Sequence, residues 1–328
     1  MIYAGENTMS NLKKLLVVMP CYNEEEILGL TIKTMNSLMK KWIKAKKISP
    51  TSQVCFVNDG STDKTWDIIT QIVKKDKLFC AVNLSRNFGH QGAILAGMYD
   101  NQADVYVTID ADLQDNPECI LEMLNKINNG CDIVYGVRKS RSTDTWFKKW
   151  SAQSFYKLLN FLGVNVIYNH ADYRMMTQKA VNVLKQFPER NLFLRAIVPL
   201  IGFESAQVYY DRTPRLAGET KYPLKKMLAL AWNGISNFSI VPLRMVTFLG
   251  FVLCFMAMIF LCFVIYRWSV RGTIVGWASL VTIITIFSGV QLVSLGIIGE
   301  YLAKVFVEVK KRPLFIVKEK IGQNEQND

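Results

Sequence analysis

Along the first two thirds of the chain, strand-length apolar runs alternate with stretches of helical period. Leu15–Met19, Val54–Val57, Phe79–Leu84, Val105–Ile109 and Ile133–Tyr135 are the runs, and Glu24–Trp42, Lys64–Lys74, Gly89–Met98 and Pro117–Asn128 are the helical stretches between them. This alternation predicts a βαβ sheet with helices on its faces. Pro117 behind Asn116 reads as a first-turn proline behind a cap, which leaves Asp110–Asp115 as a loop at the end of a strand. Open α/β sheets bind their ligands at such ends. Arg138–Thr145 is polar and aperiodic, so a loop is expected there, followed by a helix over Trp146–Leu162. A strand at Tyr173–Met176, a helix over Gln178–Phe187 and a strand at Ala206–Tyr210 should complete the domain, and Thr213–Tyr222 reads as a second functional loop.

The pattern then changes. Tyr222–Val241 sets Lys225 and Lys226 among Met, Leu and Trp232 at helical spacing, as expected of an amphipathic helix lying in a membrane interface. Met245–Tyr266 and Ile274–Gly299 are uncharged runs of 22 and 26 residues. About 20 residues of helix cross a hydrocarbon core. Two membrane spans are therefore predicted, joined by Arg267–Thr273. The expected organisation is an α/β catalytic domain over 1–221, a juxtamembrane segment over 222–244, a transmembrane hairpin over 245–299, and a helix and tail over 300–328, frayed from Gly322 onward. Two spans return the chain to the side it left. Lys221, Lys225, Lys226, Arg244, Lys304, Lys310, Lys311 and Arg312 flank the hairpin, against Arg267 and Arg271 in its loop, so the positive-inside rule predicts a cytoplasmic domain and tail.

Composition sharpens this picture in two ways. With 39 Lys+Arg against 27 Asp+Glu, the net charge of +12 suits anionic partners such as nucleotides, lipid phosphates or an acidic leaflet. No basic run is interleaved with aromatics and no nucleic-acid motif appears, so nucleic acid is not an expected partner. The seven cysteines form no Cys-x-x-Cys pair and lie mostly in apolar stretches, as reduced buried thiols do. Leu15–Met19 is too short for the apolar core of a secretory leader, and none is expected.

The strongest chemical signal is Asp110-Ala111-Asp112-Leu113-Gln114 after the strand Val105–Ile109. Carboxylates two apart at a strand end can hold a hard divalent cation, Mg²⁺ or Mn²⁺, against a diphosphate. Such a cation acts as Lewis acid and template for a departing nucleotide. Pro20-Cys21-Tyr22-Asn23-Glu24 and Asn58-Asp59-Gly60-Ser61-Thr62-Asp63 follow the first and second strands and open helices, whose N-terminal amides suit anions. Asp59 can accept hydrogen bonds from a base or ribose, and Gly60 permits a tight turn. The alternative for each loop is a helix cap. No Gly-x-Gly-x-x-Gly follows the first strand, which argues against a dinucleotide-binding oxidoreductase.

Together these motifs resemble glycosyltransferase family 2, and within it the polyprenyl-phosphate branch of dolichol-phosphate mannose synthases and bactoprenol glucosyltransferases. The likeness runs from Val17-Val18-Met19-Pro20-Cys21-Tyr22-Asn23-Glu24 to Leu295-Gly296-Ile297-Ile298-Gly299-Glu300-Tyr301 and Lys311-Arg312-Pro313. It takes in Leu84–Ala93, Ala171–Met176 and Gly218–Tyr222 on the way. The resemblance implies a GT-A catalytic domain followed by the transmembrane hairpin. It implies a donor pocket lined by Pro20, Tyr22, Glu24, Asp59, Arg86, Asn87, Gly89 and Asp110, and a metal-diphosphate site on Asp110, Asp112 and Gln114. Asp172 would lie near the sugar, with Arg215 and Lys221 on phosphates of donor or acceptor. The bland alternatives are a surface pair for Arg86, a cap or an Arg174 pair for Asp172, and lipid-facing positions for Arg215 and Lys221. Glu300 reads as a helix pair with Lys304.

The implied reaction is inverting transfer of a hexose, glucose from UDP-glucose in the first instance, onto undecaprenyl or another polyprenyl phosphate at an inner membrane. GDP-mannose, UDP-N-acetylglucosamine and UDP-galactose are the alternative donors, and a non-catalytic membrane scaffold is the alternative of another class. A lipid phosphate arrives ionised and needs no general base, so orientation and charge management should dominate. Homo-oligomers are implied by the resemblance alone. A processive synthase would need more spans, and Gln-x-x-Arg-Trp is absent.

Overall fold

The computed structural model describes residues 12–139, 170–190, 193–211, 241–271 and 276–322. The expected helix Trp146–Leu162, the loop Thr213–Tyr222 with Arg215 and Lys221, and the interfacial helix up to residue 240 lie outside the described residues, as does the loop after Lys139.

Eight strands form one mixed sheet: β1 (Leu15–Cys21), β2 (Gln53–Asn58), β3 (Phe79–Leu84), β4 (Val105–Thr108), β5 (Ile133–Arg138), β6 (His170–Thr177), β7 (Ser205–Tyr210) and β8 (Val317–Ile321), in the order β7-β5-β6-β4-β1-β2-β3-β8. The pairs β4–β1, β1–β2 and β2–β3 are parallel, and β6 and β8 run antiparallel to their neighbours. Every residue of β1 to β4 is buried, which is why these strands read as nearly continuous apolar runs. Between β1 and β4 the strand order reverses, so a crevice opens at the carboxyl ends of these two strands. The architecture is a GT-A-like α/β fold.

Helix α1 (Glu25–Lys44) buries Leu28, Thr31, Met35, Met39 and Trp42, a three- and four-residue stripe. Glu25 and Glu26 in its first turn and Lys41 and Lys44 in its last complement the helix dipole. Helices α2 (Thr65–Lys75) and α4 (Cys119–Asn128) repeat the one-faced pattern through Ile69 and Val73, and through Ile120, Met123, Leu124 and Ile127. Helix α3 (His90–Tyr99) differs, because Gly92 to Met98 are all buried. A Cβ on Gly97 would come within 2.3 Å of a Val18 methyl, so this glycine lets α3 lie directly on the sheet. Two short helices, α5 (Gln178–Leu184) and α6 (Leu194–Leu200), follow β6. The sequence pattern points to α5 but not to α6, which is only seven residues long and contains Pro199.

Two long helices, α7 (Val241–Arg271) and α8 (Trp277–Lys310), make a separate compact unit. Their apolar stretches Leu243–Tyr266 and Ile286–Lys310 are long enough to cross a bilayer, with side chains such as Phe251 and Leu292 exposed rather than packed in a core. The second stretch lies further along than the uncharged run 274–299. No helix breaker interrupts α8 after Gly299, so it continues through the pair of Glu300 and Lys304, 4.0 Å apart, to a left-handed cap at Lys311.

The segment after Lys311 belongs to the sheet unit. Here β8 pairs antiparallel with β3, Ser85 N–H donates to Ile316 O at 2.9 Å, and Lys320 lies 3.3 Å from Asp100. A Cβ on Gly322 (φ +73°) would meet a Val73 methyl at 2.4 Å. The tail was expected to be helix and frayed end; the strand escaped the sequence pattern because Val317–Ile321 is an edge strand rich in lysine and glutamate.

Candidate active site

The loops leaving β1 and β2 are laced together, and each caps the other's helix. Asn23, in the left-handed region at φ +54°, accepts from Thr62 N–H at 2.9 Å and donates its own N–H to Ser61 Oγ at 3.1 Å. Glu24 N–H donates to Thr65 Oγ1 (2.9 Å), Glu25 N–H to Asp63 Oδ2 (3.2 Å), and Lys64 N–H to Glu25 Oε2 (3.0 Å). The capping role is thus real, but it acts across loops and joins them into one rim. Tyr22 stands 47 % exposed on that rim, while Glu24 is half-buried. Pro20 is buried within β1 opposite Val57. It falls past the last β1–β4 partner, Val18 with Thr108, so its missing N–H removes no rung there.

Asp59 acts inside the rim. It is 3 % exposed, and its two oxygens accept from Phe88 N–H (2.7 Å) and Gly89 N–H (2.9 Å). Burial pushes its carboxyl above the ordinary value, against the pull of those amides. The Arg86–Gly89 loop is therefore held onto Asp59 from behind, with the Arg86 guanidinium 4.0 Å over the Phe88 ring and donating to Asn87 O at 3.0 Å. Asn87 Oδ1 accepts from Gly89 N–H at 3.0 Å. Gly60 makes this approach possible: at φ +68°, its Cβ would lie 2.6 Å from the backbone of Arg86 and Asn87.

At the end of β4, Asp110 is followed by a tight turn in which Leu113 takes φ +52° and Asp112 Oδ1 accepts from Gln114 N–H at 3.1 Å. Gln114, also assigned to the metal site, is only 4 % exposed. Asp115, absent from the sequence-based site, is buried and accepts from Tyr210 OH (2.7 Å) and Arg138 Nη2 (3.3 Å), which fastens the acidic loop to β5 and β7. Burial, together with Asp115, Asp172 and Asp112, pushes the Asp110 carboxyl up to about 6, while His90 opposes the shift. With 38 % of the side chain open to water, the crowd of carboxylates is the sounder cause.

Asp172 is brought beside Asp110 by the antiparallel register, in which Thr108 faces Arg174. Its carboxylate accepts from Arg174 Nη2, and from Arg195 Nη2 at 3.0 Å and Nε at 3.4 Å. Burial alone would raise this carboxyl; Arg195 and Arg174 overcome it and hold the group well below the usual carboxylate range. Arg174 is itself buried and donates to Leu194 O at 3.0 Å, anchoring the start of α6. The alternative of an Arg174 pair for Asp172 is thus realised. Arg195 and His90 complete the cluster, the latter with Nε2 3.5 Å from Asp110 Oδ1 and 3.8 Å from Asp172 Oδ2. Neither was singled out from the sequence: His90 lay in a quoted motif without a role, and Arg195 sits on the helix that the pattern missed.

A divalent cation can be judged by its donors. Asp110 and Asp112 offer hard oxygens, and the raised Asp110 carboxyl marks excess negative charge that a cation would relieve. Among the described residues no three His, Cys, Asp or Glu side chains form a metal-holding group. One or two carboxylates completed by substrate phosphates is the usual way Mg²⁺ is held, so these residues fit.

A mixed sheet whose switch-point crevice carries an Asp-x-Asp loop is the architecture of a nucleotide-sugar transferase. The chain belongs to glycosyl transferase family 2, whose model matches residues 16–184. It is 47 % identical over 305 residues to the uncharacterized glycosyltransferase YkoT of Bacillus subtilis (strain 168), covering 92 % of this chain and 90 % of that one. It is 36 % identical over 307 residues to the prophage bactoprenol glucosyl transferase homolog of Escherichia coli (strain K12), covering 93 % and 98 %. A looser likeness, at 16 % identity and a TM-score of 0.47, joins 70 % of this chain to 80 % of a Mycobacterium tuberculosis glucosyl-3-phosphoglycerate synthase.

Proposed function

We propose that this glycosyltransferase moves a hexose from a nucleotide-sugar to a polyprenyl phosphate at the cytoplasmic face of a membrane, inverting the anomeric centre. The observation that carries the reading is the extent of the likeness to bactoprenol glucosyl transferases. It takes in 93 % of the chain, so it includes the two exposed apolar helices as well as the sheet. Those relatives are named for a glucosyl group, so glucose is the sugar proposed first, with UDP-glucose as its donor.

The nucleoside would lie on the rim made by Tyr22, Glu24 and the Asp59-held loop of Arg86, Asn87 and Gly89. Asp110 and Asp112 would hold Mg²⁺ or Mn²⁺ with the diphosphate, and the ion would supply Lewis-acid stabilisation of the leaving nucleotide. Asp172, held ionised and occupied by two guanidiniums, is a poor proton acceptor. That accords with an acceptor phosphate that arrives as an anion and attacks without a general base. Arg215 and Lys221 are assigned to phosphates of donor or acceptor. A catalytic domain over 1–221 would thus work against the headgroup layer, with 222–244 at the interface and the hairpin in the bilayer.

Membranes holding the protein should transfer labelled hexose into an organic-extractable, mild-acid-labile lipid when Mg²⁺ or Mn²⁺ is present. UDP-glucose, UDP-galactose, UDP-N-acetylglucosamine and GDP-mannose form the donor screen. No lipid-linked label from any of them would overturn the proposal.

A further inference from the structure

Among the residues at the crevice, His90 has the placement of a group that meets substrate, and nothing else in the argument uses it. We propose that His90 contacts the hexosyl end of the donor where it joins the diphosphate, an inference resting on the nucleotide-sugar reading above. The strand order sets the direction. Along the edge formed by β3, β2, β1, β4 and β6, the Asp59-held loop comes first, then Asp110 and Asp112, then Asp172. A donor laid nucleoside first and diphosphate at the Asp-x-Asp loop carries its sugar on toward Asp172. The His90 ring lies at that transition, within 4 Å of both Asp110 and Asp172.

Four features make the ring a donor to substrate rather than a structural partner. Its separations from Asp110 and Asp172, 3.5 and 3.8 Å, are longer than the ~2.7–2.9 Å of charge-assisted hydrogen bonds, so it faces these carboxylates without being locked to them. Asp172 already has Arg174 and Arg195 as tight partners. Both carboxylates face Nε2, and ionised carboxylates only accept, which favours the tautomer with the proton on that nitrogen. The side chain is also 42 % exposed, and Gly89 at φ +88° starts α3 with His90 as its first residue. An Nε2–H held loosely between a metal-side carboxylate and a sugar-side carboxylate can turn to a hexose hydroxyl when the donor enters.

The test uses the full chain in detergent with Mn²⁺, and calorimetry of wild type, His90→Phe and His90→Gln. The donor is whichever of UDP-glucose, UDP-galactose, UDP-N-acetylglucosamine and GDP-mannose binds wild type most tightly, compared with its own nucleoside diphosphate. His90→Phe should bind the nucleoside diphosphate within about twofold of wild type and the nucleotide-sugar about tenfold more weakly, the worth of one hydrogen bond. His90→Gln, which restores an N–H of similar reach, should recover most of that loss. Equal weakening of both ligands would overturn the proposal by placing the contact on the diphosphate, and an unchanged nucleotide-sugar affinity would overturn it outright. Wild type that binds donor yet passes no hexose to polyprenyl phosphate would sink the proposed function and leave the His90 result standing. Wild type that binds none of the four would remove both.

Discussion

Replacing Asp172 by Asn keeps the shape of the side chain and deletes its charge. Arg174, 1 % exposed, would then hold an uncompensated guanidinium beside that of Arg195. Breaking a buried ion pair from one side costs about 3–5 kcal/mol. Arg195 is 35 % exposed, so solvent screens it, and Arg195→Gln should cost no more than about 1 kcal/mol. At about 2–4 °C per kcal/mol for a domain of this size, Asp172→Asn should lower the melting temperature by about 6–20 °C and Arg195→Gln by no more than about 4 °C. Tryptophan fluorescence during a thermal ramp of the detergent-solubilised protein reads both. The pH dependence has a definite sign. A carboxyl whose folded pKa is depressed contributes stability that is complete above its unfolded value, near 4, and is lost as pH falls toward the folded value. The gap between wild type and Asp172→Asn should therefore be widest at neutral pH and close in acid. An Asp172→Asn protein that melts within about 2 °C of wild type at pH 7 while losing turnover would refute the reasoning, and would make Asp172 a substrate contact instead of the hub of an ion cluster.

Two further outcomes follow from the same site and one from the charge asymmetry about the helical pair. Asp112→Ala should lower transfer by about 10³-fold or more, since several kcal/mol of charge stabilisation go with the cation, yet leave membrane insertion intact; turnover within tenfold of wild type would remove the metal assignment. Gly60→Ala places a methyl 2.6 Å from the Arg86–Asn87 backbone at φ +68°, so strain of about 1–3 kcal/mol should displace the donor loop and weaken UDP binding about five- to a hundredfold in a titration. A reporter fused after Asp328 should be active only on the cytoplasmic side, and an external signal would reverse the proposed orientation.

The elements that the sequence foretold are those buried on one or both faces. β1 to β5 and α1 to α4 lie within a few residues of their expected bounds, because their apolar periodicity is enforced by a core such as that around Phe56, Met35 and Val107. α6 and β8 were not foretold, since one is a seven-residue helix containing Pro199, too short to display a helical period, and the other a charged edge strand. Within the site, the Asp-x-Asp loop was legible because strand, acids and proline are adjacent in sequence. The Asp172 cluster was only half legible: Asp172 and Arg174 are two residues apart, but Arg195 and His90 reach them through the fold. Asp115 was hidden for the same reason, its partners Arg138 and Tyr210 being 23 and 95 residues away. Asp59 was assigned by residue type to a base or ribose, and its short bonds to the Phe88 and Gly89 amides, which no sequence spacing announced, show that it also holds the Arg86–Gly89 loop.

The return of the chain to the sheet after α8 bears on how such an enzyme can be anchored. β8 is hydrogen-bonded to β3, and Gln53 Nε2 donates to Gly322 O at 3.1 Å, so the segment after the second apolar helix is built into the same sheet as the segments before the first. The chain therefore leaves the sheet after β7 and rejoins it at β8, so whatever lies between these strands must cross a bilayer an even number of times if it crosses at all, independently of any charge rule. The same tie covers the outer edge of β3, which would otherwise present unpaired backbone groups. It also sets the backbone N–H of Ser85, the residue before Arg86, against Ile316 O. The Arg86–Gly89 loop, the proposed donor loop, is therefore held from two sides, by the Asp59 carboxylate and by the strand that follows α8. A loop fixed in this way needs little reorganisation when a nucleotide arrives, which is the condition under which orientation, rather than acid–base chemistry, can carry the transfer.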